Sequence, residues 1–218
     1  MLTAHGGALG TGRNTRRYFD TIAAWPMEAI EVDIQKGRGK LYLAHILPKL
    51  SLKKAILMED VFAFCLKYGK KVNCDTKQIG LAEEIVSLAE SMGAADRIYF
   101  TGSFSADEVP ALRSGATAYV NTHFFRHIGT SPEKLGEVKH YLDSFGNPGL
   151  KGVNVNFHIA TDAFLQKANE VGLGVSVYTV DREEELIRVL RHRPDNVTTN
   201  RIDLALRLRE EREGGSAI

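Results

Sequence analysis

The chain has 218 residues, of which 44% are hydrophobic and 25% are charged, and its formal net charge is +1. This composition is typical of one soluble globular domain with a sizeable core, so we assign residues 1–218 to a single domain. The small net charge, without a stripe of lysine or arginine, excludes the electrostatic attraction on which nucleic-acid and membrane-surface binding depend. We recognise neither a membrane span nor a secretory leader, so we expect a cytoplasmic protein without stable membrane insertion, with its two cysteines as free thiols.

Strand-like runs recur along the whole chain, and helical patterns separate them. The runs are Leu2–His5, Ala29–Asp33, Lys71–Asp75, Arg97–Thr101, Thr117–Asn121, Val153–Asn156, Val175–Val180 and Asn196–Thr199. Apolar residues at helical spacing predict helices over the intervening segments, among them Leu81–Met92, Glu183–Leu190 and Asp203–Arg209. Glycines predict the turns between helix and strand at Gly93, Gly115, Gly152 and Gly172.

Eight alternating strand and helix units in a chain of this length predict a compact (β/α)8 barrel, a fold whose usual size is about 250 residues. A doubly wound open sheet is the alternative, but it requires fewer strands or a dinucleotide-binding fingerprint. In a barrel, active sites lie at the carboxyl ends of the strands, and polar residues are found there in this sequence. They are His5, Asp33, Asp75, Ser103, Asn121, Asn156, Asp181 and Asn200.

The loop after the first strand, Gly7–Arg13, is glycine-rich but does not fit a phosphate-binding P-loop. That motif requires lysine followed by serine or threonine, and here Arg13 and Asn14 stand in those places. We interpret the segment as a flexible loop in which Asn14 or Thr15 caps a helix that begins at Arg16.

Glu31 and Asp33 lie two residues apart in the second strand, so both carboxylates point to one face. Their apolar neighbours indicate a buried strand, although a solvated acidic face is the alternative. Asp75 supplies a third carboxylate at the end of the next strand in the sequence. Hard oxygen ligands of this kind suit one divalent cation, Mg²⁺ or Ca²⁺, which offsets the repulsion between like charges. Lys77, two residues on, could counter phosphate charge.

Two histidines, His5 and His45, end strand-like segments on either side of Glu31 and Asp33. Because histidine titrates near neutral pH, such a pair can supply both a base for the nucleophile and an acid for the leaving oxygen. His123 follows the fifth strand and is a further candidate for substrate contact. Cys74 should face away from Asp75, toward the helices, so a cysteine nucleophile is not supported.

Taken in order on eight strands, these residues resemble the glycerophosphodiester phosphodiesterase family, within the barrel superfamily of phosphatidylinositol-specific phospholipase C. The family's His-Arg-Gly and Glu-Asn-Thr segments are represented by His5-Gly6-Gly7 and Arg13-Asn14-Thr15, and its Glu-x-Asp strand by Glu31-Val32-Asp33. Its later motifs correspond to His45-Ile46, Asp75-Thr76-Lys77, Ser103-Phe104, Tyr178-Thr179-Val180-Asp181 and Thr199-Asn200-Arg201.

The resemblance implies a metal-dependent phosphodiesterase of the barrel fold that acts on a glycerophosphodiester or a related small phosphodiester. In that reading Glu31, Asp33 and Asp75 hold one divalent cation and His5 and His45 are the acid–base pair. The expected substrate-binding residues are Lys77, Arg13, Ser103, His123, Asn156 and Tyr178.

The sequence departs from the family pattern at several positions. Gly6 replaces a phosphate-binding arginine, whose role passes to Arg13 only if it reaches in from the loop, and Asp75 replaces a longer glutamate. Asn200 stands where the family has aspartate, and Asp181 where it has asparagine. The 29 residues from 46 to 74 leave no room for the family's small inserted subdomain. Gly6, Asn200 and also Ile46, which stands where the family usually has aspartate after the second histidine, favour an alternative, a non-catalytic phosphate- or sugar-phosphate-binding barrel.

Overall fold

A closed barrel is the centre of the fold in the computed structural model, which describes residues 1–46 and 55–213. Its eight parallel strands are β1 (Leu2–Ala4), β2 (Ala29–Gly37), β4 (Lys71–Thr76), β5 (Ile98–Gly102), β6 (Thr117–Asn121), β7 (Leu150–Asn156), β8 (Gly174–Tyr178) and β9 (Asn196–Thr199). The ring closes because β1 pairs with both β2 and β9. The predicted (β/α)8 barrel is therefore confirmed, and the open sheet is excluded.

One further strand, β3 (Lys40–Leu43), lies outside the ring and pairs antiparallel with β2. The connecting residues Arg38 and Gly39 have positive φ angles of 51° and 70°, the geometry of a two-residue hairpin turn. After the hairpin the chain returns to the level of Asp33, whose backbone oxygen accepts a hydrogen bond of 3.0 Å from Ala44 N. The hairpin thus brings His45, the next residue, back to the carboxyl end of the barrel.

Seven α-helices are present among the described residues, and most cover the outside of the barrel. They are α1 (Arg16–Ile22), α2 (Met58–Tyr68), α3 (Ala82–Met92), α4 (Leu135–Asp143), α5 (Asp162–Glu170), α6 (Glu183–Arg191) and α7 (Ile202–Glu213). Thr15, not Asn14, caps α1, because its side-chain oxygen accepts a hydrogen bond of 3.1 Å from Tyr18 N. No helix in the described ranges has both the length and the apolar character needed to span a bilayer.

The predicted glycine turns are only partly correct. Gly93 ends α3 with a φ of 71°, as a helix C-terminal glycine should. Gly152 does not form a turn but lies within β7, opposite Gly174 of β8. A Cβ atom on Gly152 would lie 1.9 Å from the backbone oxygen of Gly174, so glycine is required there by close contact between strands.

The two faces of the barrel strands have different chemistry. Ile30, Val32 and Ile34 of β2 are fully buried in the main hydrophobic cluster, and the Cys74 thiol is buried in that same cluster, as predicted. The interior of the barrel contains hydrogen-bonded polar side chains instead, for example Thr3, whose hydroxyl donates to Asn196 Oδ1 at 2.6 Å. The apolar outer layer therefore supplies most of the core, while the inner layer supports the polar groups of the site.

Candidate active site

A polar cavity of about 410 Å³ opens at the carboxyl ends of the barrel strands. Ten of the predicted site residues line it, namely His5, Arg13, Glu31, Asp33, His45, Asp75, Lys77, Ser103, His123 and Tyr178. The cavity is also lined by Thr76, Thr101, Gly102, Asn121, Asn154 and Thr179. The site expected at this end of the barrel thus corresponds to a cavity that is large enough for a small molecule.

Three carboxylates converge in this cavity. Asp33 and Asp75 are direct neighbours in the register of β2 and β4, and Glu31 lies two residues earlier on the same face of β2. One oxygen from each of the three lies within 4.8 Å of the others. Glu31 and Asp33 are only 6% and 4% exposed, which excludes the solvated acidic face considered from the sequence.

Glu31 is buried beside the other two carboxylates. Burial, followed by the charges of Asp75 and Asp33, raises its pKa well above the ordinary value. Its Oε2 is 3.4 Å from the Asn73 amide, and Asn73 in turn accepts a hydrogen bond of 2.9 Å from the Thr101 hydroxyl. A buried carboxylate beside two like charges is unfavourable in the ionised form unless a cation is near.

Lys77 reaches two of the acids at once. Its Nζ lies 2.8 Å from Asp33 Oδ1 and 2.5 Å from Asp75 Oδ2. Although burial acts to raise the pKa of both carboxyls, the Lys77 charge and the hydrogen bonds to Asp33 lower the pKa of Asp33. The pKa of Asp75 stays raised, because burial outweighs the effect of Lys77 there. One ammonium group thus compensates only part of the charge of three carboxylates.

Gly102 leaves room for the Asp75 side chain. A Cβ atom on Gly102 would lie 2.2 Å from Asp75 Oδ1, and the φ of 83° at Gly102 also favours glycine. The end of β5 therefore fixes where the Asp75 carboxylate can lie.

Asn14 is a site residue that the sequence analysis did not identify. Its Nδ2 donates to Asp33 Oδ2 at 2.8 Å, and its Oδ1 accepts from Asp33 N at 3.2 Å. The first contact holds the Asp33 carboxylate, and the second fixes the Asn14 side chain against the backbone of β2. The available signal was the Asn-Thr pair before α1, which the sequence analysis assigned to helix capping and matched to the family's Glu-Asn-Thr segment without giving Asn14 a role in the site. The loop between β1 and Asn14 contains a short 3₁₀ helix at Ala8–Gly10. Within it, Leu9 N donates a hydrogen bond of 2.9 Å to the backbone oxygen of Asn200.

His5 lies directly after β1 and has a polar partner on each side of its ring. Its Nδ1 is 3.0 Å from Asn200 Oδ1, and its Nε2 is 3.4 Å from Glu31 Oε1. Burial and the positive charge of Arg13 lower the pKa of His5, so the neutral imidazole predominates at neutral pH. A neutral imidazole can accept a proton, which is the requirement for a general base.

The other predicted residues differ in how they meet the cavity. Arg13 and His123 are both exposed. Arg13 lines the cavity from the loop after β1, His123 from the 3₁₀ helix Thr122–Phe125 that follows β6, and Tyr178 from the end of β8. Burial and then the charges of Asp75 and Glu31 raise the pKa of Tyr178, so its hydroxyl stays protonated.

Asn156 is not among the residues that line the cavity, and its Oδ1 accepts a hydrogen bond of 3.0 Å from His158 N. Asn154, two residues earlier on the same strand face, lines the cavity instead and donates to Asn121 Oδ1 at 2.8 Å. The period-two alternation of β7 could have identified Asn154 from the position of Asn156.

A sequence profile of the glycerophosphoryl diester phosphodiesterase family matches residues 43–204. The match includes His45 and Asp75 and begins after His5, Glu31 and Asp33. The search among curated proteins found no match.

Solved structures resemble the chain over almost its full length. A chain from Agrobacterium tumefaciens has 17% identity and a TM-score of 0.79, with 98% of each chain covered. A glycerophosphodiester phosphodiesterase from Parabacteroides distasonis has 14% identity and a TM-score of 0.74, with 97% of each covered. An Oleispira antarctica phosphodiesterase in complex with the product sn-glycerol-3-phosphate has 14% identity and a TM-score of 0.70, with 96% of each covered. At these identities the similarity establishes the fold, and the profile match over most of the chain establishes the family: the chain belongs to the glycerophosphoryl diester phosphodiesterase family, which hydrolyses phosphodiesters.

Proposed function

We propose that this protein is a divalent-cation-dependent hydrolase of glycerophosphodiesters or closely related small phosphodiesters. The observation that carries the proposal is the convergence of Glu31, Asp33 and Asp75 within one cavity that His5 and His45 also line. Carboxylates and histidines in one cleft are the groups that cation-assisted hydrolysis with proton transfer requires.

The donor set fits a hard divalent cation. Three carboxylate oxygens lie within 4.8 Å of one another, and burial with mutual repulsion raises the pKa of Glu31, so a further positive charge would stabilise its ionised form. Oxygen-only donors favour Mg²⁺ or Ca²⁺ over metals that prefer nitrogen or sulfur. When bound there, such an ion supplies Lewis-acid polarisation of the phosphoryl oxygens.

The histidines would perform the proton transfers. In hydrolysis an oxygen nucleophile attacks phosphorus, the ester P–O bond breaks, and the leaving alkoxide takes up a proton. One histidine removes the proton of the nucleophile and the other donates one to the leaving oxygen. His5 reaches the cavity from the end of β1 and His45 from the β2–β3 hairpin, so they approach from different elements.

Cationic and polar side chains would bind the phosphate. Lys77 already lies against Asp33 and Asp75, and a cation at the carboxylates would free part of its charge for an anion. Gly6 stands where the family has a phosphate-binding arginine, so position 6 offers no side chain to bind phosphate. Arg13, in the loop that follows Gly6, lines the cavity and supplies a guanidinium group there. Ser103, His123 and Tyr178 offer polar atoms further along the wall. The sn-glycerol-3-phosphate bound to the Oleispira relative supports a glycerophosphodiester as the substrate.

The test is cation-stimulated hydrolysis of bis(p-nitrophenyl) phosphate and of a glycerophosphodiester, with release of sn-glycerol-3-phosphate measured for the latter. His5→Ala and His45→Ala should each lower kcat by at least about a hundredfold, because general acid–base groups typically contribute 10²–10⁴. His140→Ala, an exposed histidine on α4, is the matched control and should retain the wild-type rate. Near-normal activity of either cavity variant on the glycerophosphodiester would contradict its role, and absence of any turnover in the wild type with Mg²⁺ or Ca²⁺ would favour the non-catalytic alternative.

A further inference from the structure

A chain of hydrogen bonds lies behind His5, on the side away from the carboxylates. His5 Nδ1 is 3.0 Å from Asn200 Oδ1, and Asn200 Nδ2 donates to Asp181 Oδ2 at 2.8 Å. Asp181 follows β8, Asn200 follows β9 and His5 follows β1, so the three residues end three consecutive strands of the ring. The proposed function uses His5 but assigns no role to the other two.

The Asp181 carboxylate is held in place by the backbone. Its Oδ1 accepts a hydrogen bond of 2.8 Å from Asn200 N and one of 3.2 Å from the Thr199 hydroxyl. The backbone of Thr199 also accepts from His5 N at 2.9 Å, which fixes β1 against β9. The carboxylate therefore has little freedom to move relative to Asn200 and His5.

The chemistry of the three groups determines which atoms face each other. An ionised carboxylate only accepts hydrogen bonds, so the amide of Asn200 must present its NH₂ group to Asp181. The amide oxygen then faces His5, and an oxygen there requires a proton on Nδ1. The opposite amide orientation would place two acceptors 2.8 Å apart, at Asp181 Oδ2 and Asn200.

We propose that Asp181 is a positioning residue, which acts through Asn200 to hold His5 in the tautomer protonated on Nδ1, so that Nε2 is the nitrogen that exchanges the proton in the cavity. The proposal rests on the acid–base role proposed above for His5. In the neutral ring Nε2 then carries the lone pair; its contact with Glu31 Oε1 is 3.4 Å, longer than the 3.0 Å contact between Nδ1 and Asn200 Oδ1, so the Nδ1 contact sets the tautomer. This assigns His5 as the group able to accept a proton from the nucleophile.

Asp181 and Asn200 together provide one carboxylate and one amide, as the family pattern does, but the two groups stand at exchanged positions. Asn200 stands where the family has aspartate and Asp181 where it has asparagine. In this protein the Asp181 carboxylate is separated from His5 by the Asn200 amide, which contacts both. The exchange suggests a direct experiment, in which the two residues are reversed.

The tautomer can be measured in the wild-type protein without any substitution. In protein labelled with ¹⁵N-histidine, at a pH where His5 is neutral, the ¹⁵N shifts distinguish a protonated ring nitrogen from one with a lone pair. We expect His5, identified by the loss of its signals in His5→Ala, to be protonated on Nδ1. Protonation on Nε2 in the wild type would overturn the proposal. This result does not depend on turnover, so it is distinguishable from failure of the proposed function.

Substitution tests the coupling to activity. Asp181→Asn removes the charge with almost no change in shape and lets the Asn200 amide adopt either orientation. We expect kcat to fall about 10- to 1,000-fold with KM changed by less than about twofold, since an incorrect tautomer impairs proton transfer and not binding. Asp203→Asn is the control: this aspartate pairs with Arg201 near the same strand end and has no hydrogen bond to His5 or Asn200 among those described.

The reversed double variant Asp181→Asn/Asn200→Asp should recover most of the activity lost in Asp181→Asn. A carboxylate at position 200 accepts directly from Nδ1, and the amide at position 181 can donate to that carboxylate, so the same tautomer is restored. A merely structural role of the pair would instead produce losses that follow thermal stability. Wild-type kcat in Asp181→Asn, or a double variant no more active than that single variant, would refute the proposal.

Discussion

Replacing Glu31 by glutamine is expected to change stability in opposite directions with and without a divalent cation. Burial and the charges of Asp75 and Asp33 raise the pKa of Glu31 in the folded protein. A carboxyl whose pKa is raised by folding favours the folded state at low pH and loses that contribution as pH rises above its ordinary value near 4.3. In EDTA at pH 7, Glu31→Gln should therefore have a higher melting temperature than the wild type.

With Mg²⁺ or Ca²⁺ present the order should reverse. A ligand at a hundredfold excess over its dissociation constant stabilises the folded state by about 2.7 kcal/mol. For a chain of about this length, 1 kcal/mol corresponds to about 2–4 °C, so the wild type should gain about 5–10 °C. Glu31→Gln keeps the shape of the side chain but loses the charge, and Asp33 and Asp75 alone form a weaker cation site. The cation-dependent gain should accordingly be small in the variant.

The assay is thermal unfolding followed by circular dichroism, in EDTA and across a titration with each ion. Glu108→Gln provides the matched control, because Glu108 is also buried but does not line the cavity, and its Oε1 accepts a hydrogen bond of 3.0 Å from Ala82 N. This control should lose stability in EDTA and keep the full gain with the ion. An equal gain in the wild type and in Glu31→Gln would refute the assignment of Glu31 as a ligand, and a lower melting temperature of Glu31→Gln in EDTA would refute the unfavourable buried charge.

Three further predictions concern residues around the carboxylates. By calorimetric titration, Asp75→Asn should weaken cation binding sharply while Asp75→Glu keeps or tightens it; unchanged affinity in the asparagine variant would exclude Asp75 from the site. Arg13→Ala should raise KM for a phosphodiester by at least about threefold with little change in kcat, and an unchanged KM would show that the arginine does not contact phosphate. Lys77 lowers the pKa of Asp33, so the stability that Asp33 provides above its ordinary pKa near 3.9 is lost as pH falls below that value. Lys77→Met should flatten this acid-induced loss when the free energy of unfolding is measured by denaturant titration at several pH values. The same pH dependence of that free energy in the variant and the wild type would contradict the ion pair.

Part of the site could be predicted from local sequence because the relevant geometry is local. Glu31 and Asp33 share a face of β2 because alternate residues of any strand do, and Cys74 points outward by the same rule. Thr15 was one of two proposed caps, and only the backbone conformation decided between it and Asn14. Asn14 could not be recognised as a partner of Asp33, since that contact depends on how the loop after β1 folds across the end of β2.

The sequence by itself determined the order of elements, the eight strands of the barrel and the residue types at their carboxyl ends. These features depend on hydrophobic periodicity and on glycines at turns, which involve only a few neighbouring residues. Only the tertiary structure decided which of those ends meet. The contact between His5 and Asn200 joins residues 195 positions apart and exists because β1 pairs with β9 when the barrel closes. His45 reaches the cavity through the β2–β3 hairpin, and Gly152 faces Gly174 through strand register. Such contacts are set by closure and register, which no local pattern encodes.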